Sequence, residues 1–326
     1  RVAPEKMTVL QLVENYVSTK TAVRQTTKAG YKTVLNFLAK DEFGSRLIDA
    51  VTTLDAKSWL IYLQKSLGKS YSSIHSIRGV LRPAFQLAEE DDLIRRNPFN
   101  FELASVLVND SIPREALTAT DERRFLEFVK HDDHFSRYYE AFYILFNTGL
   151  RISEFCGLTE DDLNFENGCI RVDKQLQRTS GMEYYIERPK TKSGVRYVPM
   201  TDKVRECFEA ILQRRIRPSV EPLVDGVSGF LFLDKNNLPM VAMHWEKYFQ
   251  HALQKHNDIY KHELPKITPH VCRHTFCSKM ARKGMNPAKL KYIMGHSDID
   301  VTYNTYTHLG FDDVREEMLR MTDDVA

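Results

Sequence analysis

Apolar residues recur at helical spacing through the first hundred positions: Val9, Leu12, Val13 and Tyr16, then Tyr31, Val34, Leu35 and Leu38, then Trp59, Leu60, Tyr62 and Leu63. A fourth helix is expected from Ser70, a suitable N-cap, with Ile74, Ile77, Leu81, Phe85 and Ala88 turned inward and a kink at Pro83. Periodicity then fails from Asn97-Pro98 to Pro113, as in a linker. The pattern predicts an all-helical domain over 1–105, a linker over 106–116, a second domain over 117–310 and a tail over 311–326. The second domain opens on helices near 121–131, with Thr120 as N-cap, 136–148 and 152–158. Short β-rich runs follow at Cys169–Val172, Glu183–Glu187 and Arg196–Pro199, with a turn at Ser193-Gly194. Helices near 201–216 and 241–256 come next, and then three short ones. The first starts at Thr268-Pro269, the second runs from Pro287 to Met294 and ends at Gly295, and the third carries Ile299 to Thr305 and delivers Tyr306. In the tail, Val314, Met318 and Leu319 line an amphipathic helix too short to stand alone, so it must dock on something. The fold class is mainly α, with a small antiparallel sheet in a mixed α/β second domain.

Charge changes this picture little in total and more in detail. Lys plus Arg number 46 and Asp plus Glu 44, a net +2, which weighs against a coat that holds DNA by charge alone. Local segregation remains: Lys20, Arg24, Lys28 and Lys32 fall four apart, and Arg78 and Arg82 lie four apart on the fourth helix, away from its apolar stripe. Each set reads either as a solvated face or as a row of phosphate contacts. Five cysteines with no C-x-x-C pair imply reduced thiols and a cytoplasmic setting. No apolar run approaches the roughly 20 residues that span a bilayer. The chain starts at Arg1, which suggests a fragment whose preceding domain was removed.

The candidate chemistry is concentrated near the C-terminus. On a helix starting at Pro269, His270 and Arg273 are three apart and Cys277 lies one turn on, so they share a face. His296 follows the next helix and Tyr306 the one after. Two imidazoles, a guanidinium and a phenol from consecutive helices suit a phosphate ester and a tyrosine nucleophile. A zinc site on His270, Cys272, His274 and Cys277 is the competing arrangement; Arg273 among the ligands argues against it, and no metal or other cofactor is expected.

His270-x-x-Arg273, Gly295-His296 and Tyr306-Thr307-His308 together resemble the tyrosine recombinase family of phage and conjugative-transposon integrases. Gly149-Leu150-Arg151-Ile152-Ser153-Glu154 and the run Lys190 to Arg196 match that family's first arginine turn and lysine hairpin, in order across about 118–310. The resemblance implies an all-helical core-binding domain and a mixed α/β catalytic domain closing as a C-shaped clamp around DNA. It implies site-specific recombination for integration and excision of a mobile element, with Arg151, Lys192, His270, Arg273, His296 and Tyr306 catalytic. Glu154 would orient Arg151, and His274 would brace its neighbours. Lys190 is the alternative to Lys192 and otherwise a DNA contact. Implied partners are double-stranded DNA bearing specific sites, three further copies in a tetramer, and accessory DNA-bending proteins. The alternative with the same chemistry is a type IB topoisomerase.

Overall fold

The computed structural model describes residues 6–110, 116–189, 195–296 and 315, and the chain divides into two compact units, 1–113 and 114–326. In the first, α1 (Val9–Ser18), α2 (Gln25–Leu38), α3 (Thr53–Lys65) and α4 (Tyr71–Glu90) surround a core that includes Leu12, Leu60, Leu63, Ile74, Leu81 and Phe85. The entries to α1 and α3 are fixed by reciprocal caps, Thr8 with Gln11 and Thr52 with Asp55, and α4 starts at Ser70. α4 runs unbroken through Pro83. Asn97 then turns the chain: its Oδ1 accepts from Phe99 N at 2.9 Å and its Nδ2 donates to Arg82 O at 2.9 Å, so Phe99 enters the core. Leu103 and Leu107 follow it in, although the sequence pattern reads Leu107 as linker.

Two of the expected basic rows are not what their spacing suggests. Arg78 is 9% exposed and donates from Nη2 to Phe99 O at 3.0 Å and to Phe101 O, with its head over the Phe101 ring. It lies four residues after Ile74 and three before Leu81, which places it on the buried stripe, where it braces the 97–101 turn. Arg82 is exposed and bonds Asn100. Lys20 follows the end of α1 with its ammonium 4.5 Å from the Tyr16 ring centroid, and Arg24 is the N-cap of α2. Only Lys28 and Lys32 lie within a helix, both exposed, so the four-residue spacing is no continuous stripe.

The second unit begins with α5 (Ala119–His131), capped by Thr118, whose hydroxyl accepts from Asp121 N at 3.1 Å; Thr120 is already inside the helix. α6 (Tyr139–Thr148) and α7 (Ile152–Cys156) follow, then β1 (Leu163–Asn164), β2 (Cys169–Val172), β3 (Gln175–Arg178), β4 (Tyr184–Glu187) and β5 (Arg196–Pro199). β1, β2 and β5 form one antiparallel sheet in that order, and β3 pairs with β4 in another. Among the described residues, the strands flanking 190–194 therefore lie in separate sheets and are not the two arms of one hairpin. α8 (Asp202–Arg214), α9 (Ala242–Ile259), α10 (Pro269–Arg282) and α11 (Pro287–Met294) complete the unit. Its core is aromatic: Phe142 stacks on Phe249 with centroids 4.1 Å apart, and Trp245 is 1% exposed beside them. Burial of each such ring is worth roughly 1.5–3 kcal/mol, which makes this cluster the platform under α6, α7 and α10.

Candidate active site

The site is built where helix ends meet. α6 stops at Gly149 in the left-handed region, φ +67°; a Cβ there would lie 2.6 Å from the Phe276 ring and 2.8 Å from Met294 Sδ. α11 stops at Gly295 in the same way, φ +62°. Only glycine meets both demands, a positive φ and a close neighbour. Between them α10 starts as its sequence suggests, with Thr268 Oγ1 accepting from Val271 N at 3.2 Å and Pro269 in the first turn.

The last carbonyls of α6 and α11 have no partner within their own helices. Guanidiniums take them up. Arg273, 6% exposed, donates from Nη1 to Gly149 O and from Nη2 to Met294 O at 2.5 Å. Arg151 donates from Nη2 to Gly295 O at 2.8 Å. The negative ends of two helix dipoles thus hold cations in place. Glu154 binds Arg151 twice, accepting from its backbone N–H at 2.8 Å and from Nη1 at 2.8 Å. The Arg151 side chain keeps 36% of its surface exposed, against 3% for Glu154.

A residue outside the expected set completes the cluster. Arg196, at the start of β5, is 1% exposed and forks onto Glu154 at 3.0 and 2.8 Å. Its signal was available: Arg196 alternates with buried Val198 across exposed Tyr197, so strand periodicity turns it inward. Three guanidiniums against one carboxylate, 3 − 1, leave this cluster at +2.

The titration of these groups follows from the packing. Burial pushes the Glu154 carboxyl up, but hydrogen bonds and charge from Arg196, then Arg151, outweigh it and hold the group at about 2. Burial, then the Arg151 charge, lowers Arg273 to about 9, so it is charged at neutral pH. His296, half-buried just beyond Gly295, is lowered to about 4, first by burial and then by Arg273, Arg151 and Arg196. Its imidazole is neutral at physiological pH. The folded state therefore binds fewer protons at His296 than the unfolded state between pH 6.5 and about 4, and stability falls as pH drops through that window. Melting temperatures followed from pH 7 to 4.5 are expected to fall less steeply in His296→Gln than in the wild type. Equal slopes would remove His296 as the source.

His270 is exposed in the first turn of α10, and His274 is partly buried on the same helix. Among the described residues, no three His, Cys, Asp or Glu side chains form a group able to hold a metal ion. No described helix is long and apolar enough to cross a membrane. Lys190, Lys192, Tyr306, His308 and the amphipathic tail lie outside the described residues, except Arg315.

Residues 115–312 match the phage integrase family, and the chain belongs to it. It is a tyrosine-type site-specific recombinase of the kind that moves mobile elements. It is 42% identical over 320 residues to the transposase from transposon Tn916 of Enterococcus faecalis, covering 98% of this chain and 78% of that one. A structure of the Tn1549 transposon integrase in complex with a circular intermediate DNA superposes with a TM-score of 0.91 at 43% identity, covering 97% of this chain and 99% of that chain. A tyrosine recombinase XerC-like protein of Caldanaerobacter subterraneus is 24% identical over 288 residues, 84% of this chain and 71% of that one.

Proposed function

We propose that the chain cleaves and rejoins DNA at specific sites through a 3′-phosphotyrosyl link on Tyr306, with double-stranded DNA as its partner and four copies acting together. The observation that carries this is the seating of Arg151 and Arg273 on the adjoining carbonyls of Gly295 and Met294, beside a neutral His296. A guanidinium carries five donors, enough to keep its carbonyls and still meet non-bridging phosphate oxygens. The charge that gathers there as phosphorus becomes pentacoordinate is matched by cations already fixed in place.

In this reading the Tyr306 oxygen bonds to phosphorus and the bond from phosphorus to the 5′ oxygen breaks. His296, uncharged, accepts the phenolic proton, while His270 donates a hydrogen bond to the phosphate. Lys192 supplies a proton to the departing 5′ oxygen, with Lys190 as the alternative donor. A free 5′ hydroxyl from a second duplex then attacks the phosphotyrosine, so one phosphoester replaces another and no ATP is needed. Lys28, Lys32 and Arg82 fit the role of phosphate contacts that set position and carry no sequence information. The tail around Val314 to Leu319 is assigned to contact with a neighbouring copy, and accessory DNA-bending proteins fit the same assembly.

The test uses a duplex with a nick just 3′ of the scissile phosphate, so that the short 5′-hydroxyl product diffuses away and the adduct accumulates. Peptide mapping of the trapped adduct is expected to place DNA on Tyr306, and adding a second duplex with a 5′ hydroxyl is expected to give a joined strand. An adduct on another residue, or one that never joins a second duplex, would overturn the reading.

A further inference from the structure

We propose that Arg196 is a positioning residue for strand cleavage: by occupying half of the Glu154 carboxylate, it keeps Arg151 turned outward toward the DNA phosphate. This rests on the cleavage reading above and adds a residue to it.

The geometry is a saturated carboxylate. Glu154 Oε1 receives Arg151 Nη1 at 2.8 Å and Arg196 Nη1 at 3.0 Å, and Oε2 receives the Arg151 backbone N–H at 2.8 Å and Arg196 Nη2 at 2.8 Å. Two donors per oxygen leave little capacity over. Without Arg196, the same carboxylate would be open to a two-pronged pair with the Arg151 guanidinium, the geometry that arginine and carboxylate favour. Such a pair would draw the head inward and neutralise it. With Arg196 in place, Arg151 gives Glu154 one guanidinium nitrogen and keeps a third of its side-chain surface open.

Arg196 also touches the other group that holds Arg151. A Cβ on Gly295 would lie 2.8 Å from Arg196 Nη1 and 2.9 Å from its Cζ, so the Gly295 backbone rests on this guanidinium. The carbonyl of that same glycine accepts from Arg151 Nη2. Arg196 is itself held by the same helix end, where its Nε donates to Ile293 O at 2.7 Å. Both anchors of Arg151, a carboxylate on α7 and a carbonyl at the end of α11, thus bear on one buried side chain from β5. Stability is a poor explanation for such a pair, since apolar residues of similar volume fill a core as well or better. The low pKa of Glu154 fits the same picture, because the carboxylate stays charged at every working pH and only a second cation prevents it from cancelling Arg151.

The experiment compares wild type with Arg196→Lys and Arg196→Met on the nicked duplex in single turnover, beside DNA affinity and melting temperature. A second duplex carries a methylphosphonate at the scissile position, where a methyl group replaces one non-bridging oxygen and leaves no charge for Arg151 to neutralise. Both variants are expected to cleave the phosphodiester about 10- to 100-fold more slowly than wild type, the scale of a misplaced catalytic group, with DNA affinity nearly unchanged. On methylphosphonate the deficit is expected to shrink several-fold. Equal deficits on the two substrates would make Arg196 a scaffold residue, and parity on the phosphodiester would give it no role; either result overturns the proposal. If Arg196→Met does not fold, Arg196→Lys, which keeps the charge and loses the fork, decides alone, and failure of both to fold also overturns it. Mapping of the wild-type adduct is independent: DNA on a residue other than Tyr306 defeats the cleavage reading, whereas intact Tyr306 adducts with unaffected Arg196 variants defeat only this proposal.

Discussion

In a Tyr306→Phe variant, a nicked duplex should be bound but never captured, with no protein–DNA adduct surviving denaturation. Phenylalanine keeps the ring and loses only the oxygen that becomes esterified, so cleavage has no nucleophile while the basic groups that hold the backbone are untouched. Gel retardation should therefore match wild type. Tyr303, three residues earlier, is the informative control: on a helix it lies one turn away, so Tyr303→Phe should leave adduct formation in place. An adduct that persists in Tyr306→Phe and disappears in Tyr303→Phe would move the chemistry to the earlier tyrosine.

Arg273 should produce the next largest loss. Arg273→Met removes a cation seated on two helix-end carbonyls, and cleavage is expected to fall by about 10²–10³-fold, the scale of losing one donor to a developing oxyanion. Stability should change far less. The orphaned carbonyls of Gly149 and Met294 cost about 1–3 kcal/mol, but removing a buried charge relieves a desolvation cost of the same order. Arg273→Lys should rescue little, because a single ammonium cannot reach both carbonyls and the phosphate at once. Single-turnover rates set against melting curves make the check. A Met variant that keeps wild-type rates, or loses rate only in step with unfolding, would remove Arg273 from the chemistry.

The parts of this site that could be read in the sequence are those governed by local rules. Thr268-Pro269 announces a helix start and Gly295 a helix stop, so Arg273 and His296 could be placed on their elements directly. Glu154 sits three residues after Arg151, the spacing that closes onto a backbone N–H in the first turn. Two further features, the cap of α5 and the burial of Arg78, also follow from local rules. Thr118 has Asp121 three residues on, whereas Thr120 has Arg123, so the acidic partner already favoured the earlier cap. The four-residue spacing of Arg78 and Arg82 pairs them on one face, but the phase of Arg78 places it with buried Ile74 and Leu81. The remaining misses concern partners far along the chain. Whether β5 pairs with β4 or with β2 depends on long-range packing that no short window carries, and the pairing of Arg196 with Glu154 depends on it. The four-residue spacing from Lys20 to Lys32 crosses the break between α1 and α2, where charge periodicity says nothing about where either helix ends.

Because the arginines lean on the final carbonyls of α6 and α11, their guanidiniums are held together only once both helices have stopped at their glycines and α10 has packed between them. A chain still emerging from synthesis, or one locally melted near Gly295, has the same residues without that alignment. The alignment of these cations is thereby a product of the completed fold and of no short segment of the chain.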